Sequence, residues 1–195
     1  TNNDNGYATI KNVVKEKHVN NSPVLFEDKY GQIWMGYGEG LAIFNSKNNA
    51  FETYEINNKP LLNSAVRTIT HGYGDNLWIG SYTGLFILNS KKNRVDHFVH
   101  NENNSKSLSQ NSIYKVLKDS RGDIWIGTWA GGINFFDRSY DNFKLISAGA
   151  HKGMLNYKVI SSIIEKSENE WWIGTEGGGL NIYNKKSQTL CLASF

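Results

Sequence analysis

Several side chains suited to binding a polar ligand follow tryptophans in this chain at a spacing of three to five residues. They are Tyr37, Glu39, Tyr82, Trp129 and Glu176. A tyrosine or tryptophan ring offers an apolar face to the C–H groups of a sugar, and a glutamate accepts hydrogen bonds from hydroxyl groups. These residue types predict recognition of a carbohydrate or another small polar molecule.

The groupings that might hold a metal ion have the wrong spacing. His97 and His100 are three residues apart, which on a strand directs their rings to opposite faces. The single cysteine, Cys191, excludes a multi-cysteine site, and Asp119 and Asp123 lack the spacing of a calcium loop. We therefore expect no metal ion.

Two glycine-rich stretches, residues 36–40 and 176–179, resemble phosphate-binding loops. Each joins strand to strand in the predicted structure, so neither precedes a helix whose N-terminus would bind phosphate. No Ser, His and Asp set indicates a hydrolase, although a propeller lyase or glycosidase remains a distant alternative. We expect neither a cofactor nor catalysis in this chain.

The composition is that of a turn-dense all-β protein. Aromatic residues make up 13% of the 195 residues, and 19 glycines accompany only two prolines. A net charge of +3 without a block of like charge does not indicate a nucleic-acid partner. No apolar run approaches the roughly 20 residues that span a bilayer, so we expect no direct membrane contact in this stretch.

A repeat organises the elements that position these side chains. Trp34, Trp78, Trp125 and Trp172 are separated by 44, 47 and 47 residues. Each is followed after two residues by a glycine, and after six or seven by a second glycine with an aliphatic residue. The first glycine allows close backbone approach. The tryptophans, flanked by aliphatic residues, are expected to be core residues, with Trp171 as an additional filler between repeats.

Each repeat reads as four short antiparallel strands joined by tight turns. In the third copy we expect them at residues 112–118, 123–128, 132–136 and 142–146. A four-stranded unit of this length that is apolar on both faces is a β-propeller blade, so the predicted fold class is all-β with four blades. We place them near residues 22–56, 64–98, 111–146 and 158–193. For residues 1–21, a strand of a preceding blade is one interpretation.

The repeat resembles a known family. Residues 27–36, Glu-Asp-Lys-Tyr-Gly-Gln-Ile-Trp-Met-Gly, and residues 118–128, Lys-Asp-Ser-Arg-Gly-Asp-Ile-Trp-Ile-Gly-Thr, are similar to the two-component regulator propeller repeat. Copies two and four depart from it at the first turn, where Gly72-Tyr-Gly-Asp75 and Lys166-Ser-Glu-Asn169 replace the Asp-x-x-Gly pattern.

The resemblance implies a function. Such repeats form seven-bladed propellers in the periplasmic sensor regions of bacterial hybrid two-component histidine kinases of the Bacteroidetes type, and several sense oligosaccharides. The expected role is therefore ligand sensing in the periplasm, with an oligosaccharide or other small molecule as partner and the kinase module absent here. The alternative is a structural or protein-interaction propeller without a small ligand.

The candidate site residues are expected at one rim of the propeller. Arg67, Tyr114 and Lys158 begin innermost strands and are expected to line the same mouth as the residues after each tryptophan. Arg67 completes the set of candidate ligand-binding residues. The structural alternative is that these aromatics cover the channel or a neighbouring blade, and that Arg67 bonds a neighbouring loop.

The ends of the sequence suggest a fragment of a seven-bladed propeller, since it starts without Met and stops inside a repeat. An open arc would leave the outer faces of the end blades uncovered, and we expect self-association through them. The residues predicted on these faces are Trp34, Ile33 and Leu25 at one end and Trp171, Ile173 and Ile163 at the other. Closure into a four-bladed ring is the competing outcome.

Overall fold

A computed structural model describes residues 23–137, 142–151 and 153–193, which form four four-stranded sheets, the blades, and one short hairpin. The predicted strand at residues 1–21 lies outside this range. Blade 1 comprises β1 (Val24–Glu27), β2 (Ile33–Tyr37), β3 (Gly40–Asn45) and β4 (Ala50–Thr53). The hairpin is β5 (Glu55–Ile56) and β6 (Lys59–Pro60). Blade 2 comprises β7 (Val66–His71), β8 (Asn76–Ser81), β9 (Gly84–Asn89) and β10 (Arg94–Phe98). Blade 3 comprises β11 (Ile113–Lys118), β12 (Ile124–Thr128), β13 (Ile133–Asp137) and β14 (Asn142–Ile146). Blade 4 comprises β15 (Ile160–Ser167), β16 (Glu170–Thr175), β17 (Gly179–Asn184) and β18 (Thr189–Leu192).

The blades are arranged around an axis. Strands within each blade pair antiparallel in chain order, and β7 contacts β1 on one side and β11 on the other, as β11 contacts β15. The first strand of each blade is therefore the innermost. The predicted all-β propeller fold is confirmed over the described residues, whose one helical segment is the 3-10 turn Ser90–Lys92. Among them, no helix is long and apolar enough to cross a membrane.

Apolar side chains fill the space between consecutive blades. Trp34, Trp78 and Trp125 are only 1–2% exposed, and each packs against the following blade. The glycine after each tryptophan makes this possible. A Cβ on Gly80 would lie 2.5 Å from Ile113 of blade 3, so the next innermost strand rests directly on the backbone, as the sequence indicated.

An aspartate braces the first turn of blade 3. Asp119 is 4% exposed and accepts a hydrogen bond from the indole Nε1 of Trp125 at 3.0 Å. It also accepts from the backbone N–H groups of Arg121 and Asp123, at 3.1 and 2.9 Å. Asp28 makes the same three kinds of bond in blade 1. The family's Asp-x-x-Gly turn is thus tied to the core tryptophan of its own blade.

Blade 2 shows how the structure accommodates a missing brace. Gly72 stands where the aspartate would be, and a Cβ there would lie 2.1 Å from Trp78 Nε1. The indole edge therefore rests on the glycine backbone. Its buried N–H has no hydrogen-bond partner among the described residues, so the departure of this repeat from the family pattern leaves a polar group unsatisfied.

Blade 4 directs its two tryptophans to opposite faces. Trp171 is fully buried, with its ring centroid 5.1 Å from that of Trp125 in blade 3, so it fills the interface between these blades as predicted. Trp172 has the repeat register, because it pairs with Ile164 as Trp125 pairs with Leu117. It is only half-buried, since Ile164 and Trp172 share the face directed away from blade 3.

The prediction for the outer faces of the end blades is wrong in most of its residues. Four of them are buried between blades: Trp34, Trp171, Ile163 and Ile173. Leu25 is exposed as expected, at 63%, but at the other end the exposed residue is Ile164, at 58%. Side chains alternate between the two faces of a strand, so Ile163 faces blade 3 and its neighbour faces outward.

Candidate functional site

A β-bulge opens the innermost strand of blades 2, 3 and 4. Pairing with the second strand skips one residue in each case, and the skipped residues are Arg67, Tyr114 and Ser161. A bulge leaves its extra residue out of the ladder and redirects the side chain. All three residues line one cavity at the axis.

The turn between the second and third strands brings a further side chain to the same end of each of these blades. The backbone N–H of Tyr82 donates to Ala65, that of Trp129 to Ser112, and that of Glu176 to Val159. The three acceptors lie just before the innermost strands. This repeated bond places the three turn residues beside the bulges. We call Arg67, Tyr82, Tyr114, Trp129 and Glu176 the mouth cluster.

Arg67 is the centre of the mouth cluster. Its guanidinium carbon lies 3.5 Å from the ring centroid of Tyr82 and 4.3 Å from that of Tyr114, distances typical of cation–π contacts. The Trp129 ring is 5.9 Å from the same carbon and stacks on Tyr114 with centroids 5.3 Å apart. The Arg67 Nη1 donates to the Ser112 hydroxyl at 2.9 Å. The rings of blades 2 and 3 thus form one continuous surface.

Glu176 extends this surface to blade 4. The Tyr114 hydroxyl donates a hydrogen bond of 3.1 Å to its carboxylate. Burial, and then the bond to Glu176, raise the pKa of the Tyr114 phenol above its usual value. The hydroxyl therefore stays protonated at neutral pH and remains a hydrogen-bond donor to the carboxylate.

The cavity below the cluster has a volume of about 430 Å³, within the range of roughly 300–1,000 Å³ that ligand pockets occupy. All four blades contribute to its walls. The residues that line it from the four blades occupy the same repeat position, at or just before the start of the innermost strand: Pro23, Arg67, Tyr114 and Ser161. Tyr82 and Trp129 remain 46% and 40% exposed above it. The rings are therefore accessible to a ligand.

The structure places Tyr37 and Glu39 differently from the other candidates. The Tyr37 hydroxyl lies 3.4 Å from that of Thr53 on the outermost strand of blade 1, so the ring is directed away from the axis. Glu39 is exposed on the same turn. Gly38, between them, occupies the repeat position of Tyr82. Blade 1 therefore contributes no side chain at that position. Lys158, also expected at the mouth, is exposed just before β15.

A serine or threonine before the turn residue marks the three blades that contribute a side chain to the mouth cluster. Ser81, Thr128 and Thr175 each donate to the carbonyl of the glycine at or just before the start of the third strand, at 2.9–3.0 Å. The residue after each hydroxyl belongs to the mouth cluster. In blade 1 a tyrosine replaces it, and this departure was the available signal that Tyr37 and Glu39 are not equivalent to the others.

Buried asparagines fix the linkers that frame the mouth. Asn134 is 1% exposed and accepts from the backbone of Ser109 while donating to its hydroxyl, at 2.8 and 2.9 Å. Asn181 holds Asn156 of the next linker in the same way. Blades 1 and 2 carry Ala42 and Phe86 at this position, so an asparagine inside the apolar third strand was the signal in the sequence for this contact.

The two histidines have separate structural roles. His97 stacks on Phe86 and contacts the carbonyl of Thr83, whereas His100 contacts the carbonyl of Leu108. Within the described ranges, no group of three or more His, Cys, Asp or Glu side chains is placed to hold a metal ion.

Comparison with known proteins also identifies a propeller repeat in this chain. Residues 107–130, which span β11, β12 and two residues of the mouth cluster, match the family model described as two component regulator propeller. The resemblance proposed from the sequence is confirmed for this repeat. No curated protein matches the sequence.

Solved structures with a similar fold include extracellular domains of putative one- and two-component systems. The chain is 23% identical to the extracellular domain of the putative one component system BT4673 from B. thetaiotaomicron, with a TM-score of 0.71 over 88% of this chain and 22% of that one. It is 28% identical to the extracellular domain of the putative hybrid two component system BT3049 from the same organism, with a TM-score of 0.51 over 92% of this chain and 23% of that one.

A third similar structure is a secretion component. PorZ of the type-IX secretion system of Porphyromonas gingivalis is 16% identical, with a TM-score of 0.66, over 98% of this chain and 30% of that one. The chain therefore spans less than a third of the length of each of these structures. The fold they share is that of propeller-type domains.

Proposed function

We propose that this chain is part of the ligand-sensing region of an extracytoplasmic propeller sensor in a two-component signal transduction system, and that it recognises an oligosaccharide at the mouth cluster. The matching repeat family and the similar structures, which are extracellular domains of putative one- and two-component systems, support the sensor role. In this proposal the chain is not an enzyme and lies in the periplasm, and a histidine kinase belongs to the rest of a longer parent.

The observation that carries the binding site is the continuous surface of Tyr82, Arg67, Tyr114 and Trp129 around an open cavity. Aromatic faces pack on the C–H face of a sugar, and the carboxylate of Glu176 accepts hydroxyl hydrogen bonds at one edge. The strands that support this surface have a repeated sequence pattern, whereas the residue in the turn between the second and third strands differs in every blade. Specificity on such scaffolds lies in the side chains that vary on a constant frame.

Calorimetric titration with a panel of oligosaccharides tests this proposal. Trp129→Ala removes an accessible ring of the mouth cluster and should weaken binding at least tenfold, about 1.4 kcal/mol. Trp172→Ala is the matched control, because Trp172 is also partly exposed but lies on the outer face of blade 4. If no glycan binds, or if both variants bind like the unmodified chain, the mouth cluster is not a sugar site.

A second candidate function is protein interaction, favoured by the outer face of blade 4. Ile164 is 58% exposed there and shares this face with its cross-strand partner Trp172 and with Ile182, both half-buried. Burying such side chains removes apolar area from water, at about 25 cal/mol per Å². The proposed occupant is a second copy of this chain, and light scattering at micromolar concentration would detect the pair. A monomer that binds little hydrophobic dye would exclude it.

A further inference from the structure

The charge of the mouth cluster points to the chemistry of its ligand. Arg67 carries five N–H donors on a permanently charged group. Among the described residues, the one acceptor of these donors is the Ser112 hydroxyl. Its remaining contacts there are the rings of Tyr82, Tyr114 and Trp129. No ion pair joins it to a carboxylate of the described part of the chain. As far as the described residues go, the other donors of the guanidinium are available to a ligand.

The ring stack also holds the guanidinium in one orientation. A planar fork with fixed N–H directions matches the two oxygens of a carboxylate or a sulfate, and less ordering entropy is lost when the anion binds. The bulge at Arg67 leaves this residue out of the ladder, and its side chain lines the cavity. The group is therefore preorganised for an anion rather than freely mobile.

The wall of the cavity is positively charged, like the guanidinium of Arg67. Among the described residues, the ionised side chains that line it are Arg67 and the exposed Lys115 on β11, and none of the lining residues is a carboxylate. Concave surfaces with one sign of charge concentrate ions of the opposite sign. The cavity thus attracts an anionic group toward the axis.

Glu176 defines the opposite end of the site. It lies beyond the Tyr114 hydroxyl, while Arg67 lies over the Tyr114 ring, so one tyrosine separates the positive end from the negative end. An anionic group is repelled by Glu176, whereas a sugar hydroxyl can donate to it. A ligand with an acidic group and hydroxyl groups therefore binds in a single orientation.

We infer that the ligand of the mouth cluster is an acidic oligosaccharide, whose carboxylate or sulfate group is held by Arg67 and Lys115 while its hydroxyl groups face Glu176. This inference rests on the proposed function and narrows it to one class of saccharide. Both acidic groups present oxygens that suit the guanidinium fork, so the shared chemistry is an oxyanion on a sugar ring.

Matched glycan pairs test the inference. The 195-residue chain is titrated with uronate-containing oligosaccharides and, separately, with sulfated ones, each beside the neutral oligosaccharide of the same length and linkage. We expect at least one acidic member to bind tenfold or more tightly than its neutral counterpart, with affinity that falls as salt is raised. The uronate and sulfate series show which group supplies the charge.

Three charge-neutralising variants locate the effect. Arg67→Gln and Lys115→Gln should each reduce the acidic preference severalfold or more. Arg94→Gln is the control, because Arg94 is exposed on the outermost strand of blade 2 and pairs with Asp96. Circular dichroism verifies folding of each variant, and if Arg67→Gln unfolds, the exposed Lys115 decides the outcome.

Each result has one meaning. If neutral and acidic members bind equally, the sensor proposal stands and the acidic-ligand inference is wrong. If acidic glycans bind but Lys115→Gln and Arg67→Gln match Arg94→Gln, the attraction is general and the inference again fails. If no glycan of either class binds, the proposed function itself fails.

Discussion

Removing the carboxylate of Asp119 should destabilise the chain by about 3 kcal/mol. Asp119→Ala deletes three hydrogen bonds and leaves the indole N–H of the buried Trp125 without its acceptor. An unsatisfied buried donor costs about 1–3 kcal/mol, and the two backbone N–H groups, which regain water in part, add roughly 1 kcal/mol. Lys185 keeps its contact with Asp123 and so limits the loss.

Urea unfolding measures this loss, and blade 1 provides the matched control. Asp28 accepts from the same three kinds of donor but is only partly buried, so water replaces more of what Asp28→Ala removes. We expect about 1–2 kcal/mol there, with the m-value unchanged in both variants. A loss below about 1 kcal/mol for Asp119→Ala, or one no larger than for Asp28→Ala, would show that the brace does not stabilise the blade.

The remaining predictions concern the interfaces between blades. Gly80→Ala should cost about 1–3 kcal/mol, because the new Cβ would lie 2.5 Å from Ile113, whereas Gly174→Ala should cost less, since its nearest obstacle is a rotatable serine hydroxyl; equal unfolding midpoints for the two variants would contradict this. Hydrogen bonds from Lys29 and Tyr30 lower the pKa of Asp75 to about 2. The contribution of this contact between blades 1 and 2 to stability is therefore present above the unfolded-state pKa of about 4 and is lost as pH falls through about 2. A carboxyl NMR titration of Asp75 in the folded chain should show that midpoint, and an ordinary value would mean that the contact is not formed in solution. Ile164→Glu should abolish any self-association seen by light scattering, and an unchanged particle mass would place the contact elsewhere.

The propeller fold was predictable because single residues of the repeat determine how consecutive blades pack. Each core tryptophan faces the next blade, and each glycine two positions later lets the next innermost strand approach. Gly84, Gly132 and the corresponding glycines stand at or just before the start of the third strand with a positive φ, which other residues rarely adopt. These constraints act locally and recur, so the sequence displays them directly.

The site was predictable in part. Arg67, Tyr82, Trp129 and Glu176 were expected at one rim, and the structure brings them together around Tyr114. The register of the turn decided which residue faces the mouth. In blade 1 no Ser or Thr fixes that register, so Tyr37 and Glu39 looked equivalent to the others by spacing alone.

The outer faces of the end blades and the bulges could not be read from the sequence. A shift of one residue exchanges the two faces of a strand. Ile163 and Ile164 are adjacent, yet the first is buried and the second is exposed. A bulge likewise depends on pairing between strands rather than on the residue itself. Both features are set by tertiary contacts that the periodicity of one strand does not contain.

The most direct test of the mouth cluster as the ligand site is fluorine NMR of the chain labelled with 5-fluorotryptophan. The six tryptophans give six resonances, which can be assigned by replacing each residue with phenylalanine. On addition of an acidic oligosaccharide, we expect the Trp129 resonance to shift in a saturable manner while those of the buried Trp34, Trp78 and Trp125 stay in place. A shift confined to Trp172, or no shift of Trp129 at saturation, would contradict the assignment of the ligand site to the mouth of the propeller.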